Sequence, residues 1–157
     1  MDALRFSGHD IVFQEVPGEV SLAINVTGCP RRCPGCHSEY LQKYFGDLLL
    51  ESIGDLLDKY EGMITCVCFF GGDQNLNEIK AALKTVKLRS MKTCLYTGAD
   101  DINDLSDLLS NLDFLKTGAY MSGLGGLSAP STNQRFYAID GGELVDKTYL
   151  FWRKTIE

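Results

Sequence analysis

Three times along this chain a short β-favouring run ends in glycine: "CVCFFGG", "KTCLYTG" and "DFLKTG" close at Gly71-Gly72, Thr97-Gly98 and Thr117-Gly118. Amphipathic stretches separate the runs. Ile53, Leu56, Leu57 and Tyr60 recur at helical spacing before the first, and Leu76, Ile79, Leu83 and Val86 follow it. Ile102, Leu105, Leu108, Leu109 and Leu112 mark a helix over "DDINDLSDLLSNL". Strands alternating with helices of this length imply βαβ units and a mostly parallel sheet. The loops after such strands gather at the carboxyl edge of the sheet, where α/β proteins build their sites. The three glycine-ended runs, together with the cysteine-bearing loop that follows an earlier strand, are therefore expected to meet.

Upstream, "HDIVFQEV" and "EVSLAINV" read as two strands separated by the turn pair Pro17-Gly18. "SEYLQKYF" reads as helical, and Gly62 as the stop of the helix before the first glycine-ended run. Downstream, "SGLGGLSAPS" is a glycine-rich loop and "RFYAIDGGELVD" a hairpin turning at Gly141-Gly142. No composition break divides the 157 residues, so one domain, 1–157, is expected.

The second strand runs into "NVTGCPRRCPGCHSEY", with the spacing Cys29-x3-Cys33-x2-Cys36. Three thiolates on one compact loop can converge on a metal centre. A [4Fe-4S] cluster held so would have one iron without a protein ligand. Two other readings stand beside it. A structural zinc site wants four ligands; the nearest histidine, His37, adjoins Cys36, and neighbouring residues rarely turn both side chains to one ion. The loop could also hold no metal. The remaining three of the six cysteines, Cys66, Cys68 and Cys94, fall within strands and read as small buried hydrophobes. His9 falls on the first strand, with no role assigned.

The formal charge of -6 and pI near 4.9 argue against a nucleic-acid partner, which needs clustered Lys and Arg. Apolar runs fall far short of the ~20 residues of a membrane helix, and "MDALRFSGHD" lacks a signal pattern. A cytoplasmic location with no membrane partner is expected.

The triad after one strand and Gly71-Gly72-Asp73 after the next resemble the radical S-adenosylmethionine (SAM) superfamily. That resemblance implies a partial, open (β/α) TIM-like barrel with a C-terminal hairpin. It further implies that Cys29, Cys33 and Cys36 hold a [4Fe-4S] cluster, with SAM chelating the fourth iron. Gly35 before the last cysteine, "GGDQ", "LYTG" and "SAPSTNQRFY" are similar to the activating proteins of anaerobic, class III ribonucleotide reductase. The resemblance spans about residues 10–140. Glutamine stands at 74 where a proline commonly follows the acid, and Ala99 where an aromatic is frequent.

By this resemblance the carbonyl near Gly72 and the Asp73 carboxylate accept hydrogen bonds from the SAM ammonium. Thr97 and Gly98 border the pocket. Asn133, Gln134 and Arg135 offer donors suited to a carboxylate or ribose, and Lys116 and Tyr120 flank the same edge. From the residues alone, Asp73 could equally cap the following helix, Thr97-Gly98 could simply end a strand, and 133–135 could be a solvated loop. The implied activity is reductive cleavage of SAM to a 5′-deoxyadenosyl radical, which makes a glycyl radical on the reductase. An electron donor such as flavodoxin or ferredoxin would be needed. Alternatives are activation of another glycyl-radical enzyme, a small-molecule reaction, an iron-sulfur electron carrier or a zinc-binding module. A complete (β/α)8 barrel takes ~250 residues, so a chain of this size leaves a side open, which suits a macromolecular substrate.

Overall fold

The computed structural model describes residues 2–28, 43–100 and 102–152. Among these residues eight strands form one open sheet in the order β3-β1-β2-β4-β5-β6-β7-β8. The first two, β1 (Arg5–Val12) and β2 (Ser21–Val26), pair antiparallel. Pro17-Gly18 turns between them as expected: Gly18 has φ +84°, and the Glu19 amide donates to the Val16 carbonyl at 3.1 Å.

The parallel centre is β2, β4 (Cys66–Phe70), β5 (Lys92–Tyr96) and β6 (Phe114–Thr117). Helix α1 (Leu49–Lys59) precedes β4, and α2 (Leu76–Leu88) joins β4 to β5. Both flanks are antiparallel. On one side lies a two-residue strand, β3 (Asp47–Leu48), paired with β1 and absent from the sequence reading. On the other lies the expected hairpin of β7 (Arg135–Asp140) and β8 (Glu143–Asp146). Its turn residues Gly141 and Gly142 have φ +58° and +87°, the positive pair a two-residue hairpin requires. Only three of the seven strand pairings are parallel. The expectation of a mostly parallel sheet is corrected accordingly: crossing over helices makes the centre parallel, whereas β1–β2 and β7–β8 are successive strands that turn back on each other, and β3 and β7 run back against β1 and β6 after longer connections.

Two further expectations are revised. Residues Asn103–Asn111 form a 3-10 helix rather than an α-helix. Leu105 and Leu108, three apart, are buried, while Asn103, Ser106 and Asn111 are weak α-formers that favour turns. Of the helix read over "SEYLQKYF", residues 38–42 lie outside the described ones, and Lys43, Tyr44 and Phe45 are not helical. No helix among the described residues is long and apolar enough to cross a membrane.

Side chains alternate across a strand, so each central strand feeds two cores. Val67 and Phe69 of β4, Leu95 of β5 and Leu115 of β6 pack with Ile53, Leu57, Ile79 and Leu83 of the helices. On the opposite face Cys66, Cys68 and Cys94 pack with Val16, Phe136 and Phe151. The second cluster is small, and no α-helix among the described residues contributes to it.

Candidate functional site

The cysteine-bearing segment leaves the sheet at Thr27 and Gly28, just past the end of β2. Cys29, Cys33, Cys36 and His37 lie outside the described residues, but the segment's two roots are tied together. The Gly28 amide donates to the Lys43 carbonyl at 3.0 Å. Thr27 is fully buried; its amide donates to the Arg5 carbonyl at 2.9 Å and its hydroxyl to the Phe45 carbonyl at 2.6 Å. Gly28 and Lys43, the described residues that flank 29–42, thus meet at one point on the carboxyl edge of the parallel centre.

From that point a chain of hydrogen bonds runs along the edge. Gln74 Nε2 donates to the Thr27 carbonyl at 3.0 Å, and the Gly72 amide donates to Gln74 Oε1 at 3.1 Å. The Gly71 amide donates to the Tyr96 carbonyl, the Thr97 amide to the Lys116 carbonyl, and the Gly118 amide to the Ala99 carbonyl, at 2.8–2.9 Å. Gln134 Nε2 then donates to the Gly118 carbonyl at 3.2 Å, and Asn133 Nδ2 to the Ala119 carbonyl at 3.0 Å. The strand ends expected to meet do so, and 132–134 joins them.

Gly71 and Gly72 have φ +92° and +115°. A Cβ on Gly72 would lie 2.8 Å from Ile79 Cδ1, so the bare backbone is a packing requirement as well as a conformational one. Asp73 follows, half-buried. It does not cap α2: Asn75 does, accepting from the Glu78 amide at 3.2 Å. Thr97 is buried, and its hydroxyl accepts from the Ala99 amide at 3.0 Å, bending the chain around Gly98. The Thr132-Asn133-Gln134 stretch is largely buried, which corrects the solvated-loop alternative.

The polar groups of 133–135 differ from the donor set read in the sequence. The amide nitrogens of Asn133 and Gln134 are spent on carbonyls, and Arg135 Nε and Nη2 both meet Asp146 Oδ2 at 2.8 Å. What stands over is an acceptor. Asn133 Oδ1 is buried without a hydrogen-bond partner, a state that costs about 1–3 kcal/mol until a donor arrives.

Below the edge, on the face away from the helices, register places Asn25, Phe70, Tyr96, Lys116 and Phe136 in one row across the sheet. Phe70 and Tyr96 meet edge to face, with ring centroids 4.9 Å apart. Lys116 Nζ, almost fully buried, donates to the Gly118 carbonyl at 2.8 Å and sits 5.9 Å from the Tyr96 ring centroid.

The described residues offer no competing metal site: no group of three or more His, Cys, Asp or Glu among them is arranged to hold an ion. Burial pushes the thiols of Cys66, Cys68 and Cys94 up, so they stay protonated, the wrong state for a metal ligand. They are the core residues the sequence suggested. His9 is likewise on β1, where its Nδ1 lies 2.8 Å from the Tyr60 hydroxyl and ties the strand to the end of α1. A cleft of about 520 Å³, lined by Phe6, His9, Asp47, Asp55 and Lys59 among others, opens between β1 and α1; it includes none of the strand-end residues.

Sequence reasoning missed Thr27 and Gln74 as organisers of the edge. Thr27 carried no motif signal, and Gln74 was visible only as a departure. Asn75 had a signal in "NLNE", since Asn followed three residues later by Glu marks a helix start.

A family model described as a 4Fe-4S single cluster domain matches residues 16–137, about three-quarters of the chain. The chain belongs to that family, which is associated with radical SAM-type iron-sulfur proteins, and a 4Fe-4S cluster is its cofactor. The match encloses the cysteine triad and every strand end described above. Neither the curated proteins nor the solved structures gave a match to the chain.

The cysteines present fit the 4Fe-4S cluster. With the buried cysteines protonated in the core, the triad at 29, 33 and 36 is the remaining thiolate source. Its roots adjoin the side-chain-free backbone of Gly71-Gly72 through Gln74.

Proposed function

We propose that this protein is a radical SAM activase that generates a glycyl radical on anaerobic ribonucleotide reductase. The observation that supports it best is the anchoring of the cysteine-bearing segment beside Gly71-Gly72, in a chain whose family carries a single 4Fe-4S cluster. Cys29, Cys33 and Cys36 would hold the cluster, leaving one iron to SAM. When bound, the pair supplies one-electron cleavage of the sulfonium and a 5′-deoxyadenosyl radical that takes hydrogen from a glycine Cα.

The protein's own task is to position and to exclude. Gly71 and Gly72 let backbone approach the methionine end of SAM, with Asp73 beside it for the ammonium. The Gly72 carbonyl already accepts from the Asn75 amide at 3.1 Å, and its second lone pair serves the ligand. Thr97 and Gly98 form the border, and Asn133 Oδ1 takes a ligand donor. Gln134 holds Gly118 in place. Arg135 would reach a ligand anion by exchanging Asp146 for it. The row Phe70, Tyr96 and Lys116 floors the site.

The open sheet and the small second core suit a macromolecular substrate whose loop enters from the side away from the helices. The partial barrel, the cytoplasmic setting, the flavodoxin or ferredoxin donor and the reductase partner belong to the same proposal. The test is anaerobic reconstitution with dithionite, SAM and the reductase. Formation of 5′-deoxyadenosine with a glycyl EPR signal supports the proposal. An intact cluster that never cleaves SAM favours an electron carrier, and cleavage without a radical on this reductase moves the assignment to another substrate.

A further inference from the structure

We propose that Gln74 is a positioning residue. Its carboxamide clamps the root of the cysteine-bearing segment to the Gly71-Gly72 backbone, and so fixes where the methionine end of SAM sits relative to the cluster. The inference rests on the activase reading for its cofactor half, and on the structure alone for the clamp.

The paired part of β2 and β4 ends at Asn25 and Phe70. Beyond that register the two chains continue as Val26-Thr27-Gly28 and Gly71-Gly72, and Gln74 supplies a connection between them. One end of its amide accepts from the Gly72 N–H at 3.1 Å, and the other donates to the Thr27 carbonyl at 3.0 Å. The amide orientation is dictated by chemistry. Turned over, it would set an NH2 against an N–H and an oxygen against a carbonyl.

Both anchor points are themselves hydrogen-bonded to neighbouring elements. Thr27 is held by Arg5 and Phe45, and Gly71 by the Tyr96 carbonyl. A side chain spanning two such points sets their separation. Glutamine is the side chain that offers donor and acceptor together at this reach: glutamate would face the Thr27 carbonyl with an oxygen, asparagine is one methylene short, and the proline common here in the resembling family has neither group.

Three variants separate the clamp from general packing. Gln74→Leu removes both bonds, Gln74→Glu keeps only the acceptor for Gly72, and Gln74→Asn guards against a leucine variant that fails to fold. Amide hydrogen exchange at Gly72 in the metal-free protein reads the clamp without any cofactor. Iron content, SAM affinity and the change SAM makes in the EPR signal of the reduced cluster read its consequence.

The clamp predicts faster Gly72 exchange in the leucine and asparagine variants and retained protection in the glutamate variant. In the loaded leucine variant iron content stays at the wild-type level, while SAM affinity falls roughly tenfold, the worth of one to two hydrogen bonds. The proposal is overturned if Gly72 exchange is unchanged in the leucine and asparagine variants, or if exchange rises while SAM affinity and the EPR change stay as in wild type. Loaded wild-type protein that binds no SAM refutes the activase reading and the cofactor half with it; Gly72 exchange still decides the clamp.

Discussion

Replacing Gly72 by alanine puts the account of the strand-end backbone at risk in a measurable way. Gly72 has φ +115°, where an L side chain is strained by about 1–3 kcal/mol. The new Cβ would also lie 2.8 Å from Ile79 Cδ1 and 3.3 Å from Cγ1. Ile79 lies on α2 and is fully buried in the core, so shifting it disturbs packed neighbours. Overpacking of this kind adds about 1–3 kcal/mol. The sum is about 2–6 kcal/mol. For a domain of this size each kcal/mol lowers the melting temperature by roughly 2–4 °C, so a fall of roughly 4–24 °C is expected.

Two controls separate the contributions. At Gly71 φ is +92°, but the nearest atom to a new Cβ is the Val26 carbonyl oxygen at 3.6 Å, an ordinary contact. Gly71→Ala should therefore show backbone strain alone, about 1–3 kcal/mol. Gly54, in the middle of α1 with nothing within 4 Å of its added Cβ, should gain about 0.5–1 kcal/mol as alanine. Urea and thermal unfolding of the metal-free protein give the three values. A Gly72→Ala variant as stable as wild type, or no less stable than Gly71→Ala, would refute the reasoning.

The buried thiols supply a second prediction. Alanine at Cys66, Cys68 or Cys94 should cost about 1 kcal/mol of packing each and leave iron content unchanged, whereas alanine at Cys29, Cys33 or Cys36 should abolish cluster binding; iron and sulfide analysis after reconstitution checks both. A third concerns acid stability. Partial burial pushes the Asp146 carboxyl up, but hydrogen bonds from the Thr148 side chain and backbone and the Arg135 guanidinium outweigh it, holding the group below its usual 3.8. A depressed carboxylate stabilises the fold above its unfolded value, and that contribution is lost as pH falls through the folded one. The advantage of wild type over Asp146→Asn should be constant near neutrality and vanish below 3.8, staying under about 1 kcal/mol because the pair is half exposed. Denaturant midpoints across pH 2–7 would show it.

Much of the centre of this fold was legible because strand and helix periods differ. "ITCVCFF" and "KTCLY" appear as β4 and β5, the leucine and isoleucine spacing as α1 and α2, and Gly141-Gly142 as a tight turn. The helix over Asn103–Asn111 was legible as a helix but not as a 3-10 one, since Leu105 and Leu108 fit either period and burial decides between them. The two-residue β3 has no pattern of its own; it exists because Phe6 and Arg5 offer an edge. At the site, topology alone brought Gly71, Thr97 and Gly118 to one edge. Hydrogen-bond partners were not legible, because a sequence shows which groups can donate and not where they are spent. Asn133 and Arg135 illustrate the point, and so does Gln74, whose role depends on a carbonyl 47 positions away.

We propose that Cys29, Cys33 and Cys36, in the segment whose root is tied to Gly71-Gly72, hold a 4Fe-4S cluster with one iron left for SAM. EPR of the anaerobically reconstituted, reduced protein, with and without SAM, tests it most directly. The account predicts about four iron and four sulfide per chain, a reduced-cluster signal that changes on adding SAM, and loss of both in Cys33→Ala. A full cluster whose signal is indifferent to SAM, or an intact cluster in Cys33→Ala, would contradict it.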